Sequence, residues 1–352
     1  MEHDASVRGV HVRPINGEDS RGRAWLWTSL LVTLSALVAA VLLAPAGKAV
    51  PTRSLTLLLF LGSSVHVATT GYLFTEADIR AHVADHRARY VWIPVLLILS
   101  AATAASVVSV RAVAWLLLPY FAWQFFHFHK QNIGMVALAL SSKALRGPSV
   151  AERRAASLAS LFGIAGLLAH PGLLQLPDQS PVRRLYVLAL LGFICAVVTG
   201  IALLWLRARR ERSAGPTAAY LMALLFFGPV FLFRSPYAAV GGMTIGHGLQ
   251  YLLLVGLVAA GRSRGTGRAV GLALLLNVAL LGGMVVSAAS HLHNAPAAGR
   301  ALFGGYLGVV MAHFVIDAGL WRLRDPFPRS FLASRVPFLV PPMELTSFDD
   351  RS

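Results

Sequence analysis

Apolar residues in this chain arrive in runs of about 20, bounded by charge or proline, which is the length one helix needs to cross a bilayer. The runs predict ten helices: 24–44, 54–74, 90–110, 112–140, 155–169, 185–206, 217–233, 236–260, 268–289 and 301–321. The run 155–169 is short, and 112–140 is long and carries Pro119 and Lys130. Proline is tolerated in a membrane helix whose neighbours satisfy the carbonyl it frees. The expected fold is all-α, a polytopic transmembrane bundle over 24–325 between a polar tail at 1–23 and a Pro-rich tail at 326–352. No convincing internal repeat is visible.

Composition agrees with that pattern. Of 352 residues, 56% are hydrophobic and 13% charged, against about 45–50% and about 25% in a soluble domain. The chain carries a net charge of +16, which alone would suggest nucleic acid, but membrane proteins gather basic residues in cytoplasmic loops. Counting Lys and Arg in alternate loops puts 23 on one side (1–23, 75–89, 141–154, 207–216, 261–268 and the C-terminal tail) and 7 on the other. Missing or inventing one span would scramble the alternation downstream. The split therefore predicts ten spans with both termini cytoplasmic, as an integral protein of a bacterial inner membrane, and no nucleic-acid partner. Ala44-Pro45-Ala46 has the look of a leader cleavage site, yet the 23 polar residues ahead of the first run favour a retained helix. A single cysteine, Cys195, excludes an internal disulfide and a Cys-based zinc site.

The chain has 12 histidines. His3, His11, His82, His86, His170, His291 and His293 fall in tails or loops, whereas His66, His127, His129, His247 and His313 fall inside apolar runs, where an ionisable group is costly and usually functional. The four runs concerned are even-numbered, so they cross in the same direction. At about 1.5 Å per residue, His66, His247 and His313 lie roughly 17–18 Å below the outer boundary and His127 slightly deeper. Each has polar company at helical spacing: Ser63, Thr69 and Thr70 around His66; Gln124, Lys130 and Gln131 around His127; Thr244, Gln250 and Tyr251 around His247; Asp317 four residues after His313. His127 and His129 point about 200° apart on a regular helix, so one of them faces the site. The more polar face favours His127.

Imidazole without thiolate suits iron, copper or zinc, and histidines with a carboxylate suit non-haem Fe(II) with open positions. The reading is an Fe(II) site of His66, His127 or His129, His247 and His313, with dioxygen and a lipid-soluble substrate. Asp317 fixes His313 or completes the shell, while Tyr251, Gln131 and Gln250 position oxygen or substrate. Lys130 needs an anionic partner at membrane depth, either Asp317 or a substrate head group, unless it snorkels to the cytoplasmic side. Copper, zinc or a single haem remain open; a zinc hydrolase would need a base, with Asp317, Glu76 and Asp78 available. His82-Val-Ala-Asp-His86 and His291-Leu-His293 also have ligand-like spacing, the first being a solvated face or an entrance, the second a surface metal trap.

Single histidines on successive spans, His66, His127 and His247, give the chain a layout that resembles the Brp/Blh-type carotene dioxygenases. The resemblance implies an integral-membrane oxygenase with histidine-bound iron cleaving a carotenoid-like polyene. That family is expected to carry two histidines four apart late in the chain, where this sequence has His247 and Tyr251. The segment His313-Phe-Val-Ile-Asp317-Ala-Gly-Leu-Trp321 also looks like a motif of His-rich membrane proteins. Two other classes fit the same histidines: a proton-coupled transporter, with Gly241-Gly242 and Gly282-Gly283 as candidate helix breaks, and a haem- or quinone-linked redox protein.

Overall fold

The structure, a computed structural model, describes residues 16–45, 50–143, 145–176, 183–207, 213–261 and 266–340. His3, His11 and the chain ends lie outside the described residues, as do Arg209, Arg210, Arg212, Arg262 and Arg264 of the basic loops.

The described chain is helical throughout, with α1 (Asn16–Leu43), α2 (Arg53–Leu73), α3 (Ala77–Asp85), α4 (Ala88–Val107), α5 (Val110–Ser141) and α6 (Val150–Ala169) in its first half. The second half holds α7 (Arg183–Leu206), α8 (Ala214–Leu225), α9 (Pro229–Leu232), α10 (Tyr237–Ala260), α11 (Thr266–Ser290), α12 (Ala297–Leu320) and α13 (Pro326–Arg335). Among the described residues, seven helices are long and apolar enough to cross a membrane: residues 20–43 of α1, then α2, α4, residues 185–206 of α7, α10, residues 267–290 of α11, and α12. The remaining three expected spans differ for local reasons. Helix α5 runs through Pro119 for 32 residues but is diluted by Gln124, His127, His129, Lys130, Gln131 and Asn132. Helix α6 opens on Glu152, Arg153 and Arg154 behind a capping box, in which Ser149 Oγ accepts from the Glu152 N–H and the Glu152 carboxylate accepts from the Ser149 N–H. The run 217–233 is interrupted at Pro229, leaving α8 with 12 residues and α9 with four.

Large apolar side chains cover the outside, while a set of polar side chains is enclosed within a mainly apolar core. Leu96, Leu188, Val285 and Leu206 stand 62–82% exposed around the outside, while His66, Thr69, Thr70, Gln250 and Asp317 are buried. Helices α10, α12 and α2 are the most enclosed spans, at 61%, 50% and 44% buried, whereas α4, the least enclosed, is at 17%. Helix α10 packs on α1 and α2, α11 on α2, and α12 on α4, α2 and α5.

Glycine sets the closest approach. A Cβ at Gly248 of α10 would overlap the Gly62 carbonyl of α2, and one at Gly62 would overlap the Ile245 backbone. Such small residues let membrane helices touch backbone to backbone. Gly282 and Gly283, candidate breaks from the sequence, lie within the unbroken α11, where their Cβ positions would come within 2.9 Å of Ala68 and Val65. They are packing residues. Gly241 ends a π-turn, Tyr237–Gly241, and a second π-turn, Leu61–Val65, sits directly before His66. π-turns inside helices gather at functional sites.

The stretch after 325, read from sequence as the beginning of a tail, folds into α13 against the bundle. Phe331 and Leu332 are buried, and Arg335 donates to the buried Glu76 carboxylate at 2.9 Å. Glu76 also accepts from the Tyr72 hydroxyl at 2.8 Å, so it clasps α13 to the end of α2.

Gly248→Val should lower stability by about 1–3 kcal/mol, the cost of overpacking. Gly134→Ala, where a Cβ meets nothing within 4 Å, should be neutral or stabilising by up to about 1 kcal/mol. Thermal unfolding of the detergent-purified variants measures both, and equal effects would mean that the α2–α10 contact does not hold the bundle together.

Candidate metal centre

Four imidazoles from four helices meet in one place. His66 of α2 lies 5.0 Å, ring centre to ring centre, from His247 of α10 and 5.0 Å from His313 of α12. His127 of α5 lies 5.1 Å from His247 and 5.0 Å from His313. The four contacts close a ring in the order 66, 247, 127, 313, each edge-on to the next. A nitrogen about 2.1 Å from an ion puts its ring centre about 3.2 Å away, so neighbouring ligand rings stand about 4.5 Å apart at right angles and about 5.2 Å apart in a tetrahedron. The separations between neighbouring rings are of that size, and the ligand atoms gather in two overlapping sets that share His313. The separations leave no slot between the rings for a porphyrin plane, which disfavours haem at this place.

Hydrogen bonding gives the same answer. The Nε2 atoms of His66, His127, His247 and His313 are all buried and all lack a hydrogen-bond partner among the described residues. Buried polar atoms are normally satisfied, and an ion held among these nitrogens would satisfy them. Ligand atoms of His66, His247 and His313 lie within 4.8 Å of one another, as do those of His127, His313 and Asp317. His313 belongs to both groups. These buried groups can hold a metal ion.

Asp317 is wired into the ring rather than placed in it. Its Oδ2 stands 3.6 Å from His313 Nε2 and 3.9 Å from His127 Nε2, beyond hydrogen-bond range, while its Oδ1 accepts from the Tyr251 hydroxyl at 2.9 Å. The Tyr251 oxygen meets Thr70 Oγ1 at 3.0 Å, and Thr70 Oγ1 meets His313 Nδ1 at 2.6 Å. With Asp317 ionised, the direction of the chain is forced. Tyr251 spends its one proton on Asp317, so Thr70 must donate to Tyr251, and His313 Nδ1–H must donate to Thr70. That assigns His313 the tautomer with a proton on Nδ1 and a free lone pair on Nε2, the form a metal requires.

The walls are aromatic. Phe128 stacks on His247 at 3.9 Å and Phe314 on His127 at 4.6 Å. Neither was singled out from sequence, although each follows a candidate ligand directly; neighbours in a helix point about 100° apart, so their convergence depends on other helices.

Other sequence candidates go elsewhere. His129 stands outside the ring, with its Nε2 3.1 Å from Ser157 Oγ on α6 and its ring against Phe126. Lys130 is exposed, with its ammonium 4.9 Å from the centre of the Phe126 ring; the expected pairing with Asp317 is replaced by a cation–π contact at the surface. Gln131 donates to the His247 carbonyl at 2.9 Å and to Gln250 Oε1 at 3.0 Å, and Gln250 donates to Thr33 Oγ1 at 2.6 Å. Both amides tie α5, α10 and α1 together behind the site. His82 stacks on Phe327 at 4.0 Å and lies 4.2 Å from His86. Burial and the neighbouring His86 lower its pKa, favouring the neutral ring. His82 and His86 have no third metal-ligating partner among the described residues.

Comparison with family models, curated proteins and solved structures finds no match to any of the three.

Thr70→Val should keep the fold, since valine is nearly isosteric, but release the His313 tautomer. Metal affinity should fall about 10–100-fold, the usual effect of losing an outer-shell partner, as read by metal titration. Unchanged affinity would mean that the hydroxyl chain does not orient His313.

Proposed function

We propose that this chain is a membrane-embedded, histidine-ligated non-haem iron oxidoreductase, of oxygenase type, acting on a lipid-soluble substrate. The observation that carries the reading is the closed ring of His66, His127, His247 and His313 with four partnerless Nε2 atoms. An all-imidazole donor set with one nearby carboxylate suits Fe(II) better than thiophilic or all-oxygen ions. Copper and zinc accept the same donors and compete.

Iron held there would supply redox chemistry toward dioxygen. The residues around it do the rest. His313 and Asp317 share one face of α12, and Tyr251 holds a proton at its hydroxyl within 2.9 Å of Asp317 Oδ1. Phe128 and Phe314 exclude water from two of the ligands. Because the ring is enclosed by membrane helices, a substrate reaching it from the side is one that dissolves in lipid, and a polyene of the kind cleaved by the Brp/Blh-type enzymes fits that description. The topology that accompanies this reading is ten spans with both ends cytoplasmic, in a bacterial inner membrane, supported by the 23 to 7 division of Lys and Arg.

Metal analysis and the visible spectrum of the detergent-purified protein test the proposal together. The expected result is stoichiometric iron without a Soret band. His313→Ala should abolish metal retention, whereas His129→Ala and His293→Ala should keep it. Zinc or copper in stoichiometric amount would replace iron in the reading, a Soret band would make it a haem protein, and no metal at all would favour the transporter.

A further inference from the structure

Away from the histidine ring, the structure holds a cavity of about 610 Å³ between the start of α6 and the end of α7. Its lining is divided. Arg146, Arg153 and Arg207 form one part with Glu152, and Val150, Leu203 and Leu206 form another. Glu152 is already committed, accepting from the Ser149 N–H and standing 3.5 Å from Arg207. Arg207 also donates to the Arg146 carbonyl at 2.7 Å, which locks the 145–149 turn against the end of α7. With Glu152 neutralised by Arg207, Arg146 and Arg153 leave the cavity with two positive charges, and both are exposed.

Three observations distinguish this place from an ordinary basic loop. The 146–153 segment and the end of α7 at 203–207 converge on one concave space and bring three arginines to it. The apolar wall is continuous with the outer face of the bundle, where Val150 is 54%, Trp205 72% and Leu206 82% exposed. Exposed tryptophan beside arginine is the arrangement found at the level of lipid head groups. We propose that the cavity binds the phosphate of an anionic phospholipid, with Arg146 and Arg153 on the phosphate and the acyl chains running down the wall of Val150, Leu203 and Leu206. Basic pockets between membrane helices on the cytoplasmic side take such head groups. The proposal is independent of the metal reading, since none of its residues touches the histidine ring.

The test uses the full chain, purified in detergent and exchanged into nanodiscs of phosphatidylcholine with or without phosphatidylglycerol, and native mass spectrometry of lipid retained after delipidation. One phosphatidylglycerol should stay on the unaltered protein in preference to phosphatidylcholine. Arg146→Gln and Arg153→Gln should each weaken retention about fivefold, the effect of one basic residue near a lipid head group. Arg154→Gln, exposed on the same helix but outside the cavity, should leave retention unchanged and shows that folding and overall charge are not the cause. Equal retention of both lipids, or equal loss from all three variants, would overturn the proposal. Displacement of the lipid by inorganic phosphate alone would reassign the cavity to free phosphate and overturn the lipid reading.

Discussion

Everything in this structure turns on how polar groups are housed where no water can serve them. A polar atom buried without a partner costs about 1–3 kcal/mol, and a folded domain is stable by only about 5–15 kcal/mol. The bundle avoids that cost at several places by pairing helix with helix: Gln131 with the His247 carbonyl, Gln250 with Thr33, Tyr251 with Asp317. At the centre it does not. Imidazole nitrogens on four different helices are left without partners, in two overlapping ligand sets that share His313, and a bound ion would relieve that deficit.

The surrounding groups keep those rings in their places. The near contact of Gly62 and Gly248 draws α2 and α10 together just where His66 and His247 project. The hydroxyl chain from Asp317 through Tyr251 and Thr70 pins His313 on the side away from the ring. Phe128 and Phe314 hold the planes of His247 and His127 by stacking. His313, His247 and His127 are thus restrained by groups outside the histidine cluster, the kind of outer-shell support that a metal site would need.

The helical, membrane-type character was legible because a water-soluble domain has no use for repeated apolar runs of bilayer length. The ring members were legible for a related reason: an imidazole in hydrocarbon is conspicuous, and four at a common depth are hard to scatter. What the sequence could not convey was direction. His127 and Lys130 are one turn apart and share a face on a helical wheel, yet His127 enters the ring while Lys130, with a long flexible stem, swings out to Phe126. Gln131 has the polarity of a site residue but is consumed by α10. The segment at 326–335 has the proline content of a loop, and only the buried partners of Phe331 and Arg335 make it a docked helix.

A transport path and a fixed centre make opposite demands on the same residues. A path needs polar groups strung through several levels and helices able to break, whereas here His66, His127, His247, His313 and Asp317 are gathered in one place and α11 passes its glycine pair without interruption. The surroundings of Asp317 lead the same way. Its ion pairs are with His127 and His313, which are charged only when protonated, so no fixed cation from either partner balances the carboxylate. A divalent ion among neutral imidazoles would supply that balance while leaving His313 in the form the hydroxyl chain already selects. One ion placed between the two overlapping ligand sets would meet the carboxylate and the imidazoles together, because His313 belongs to both.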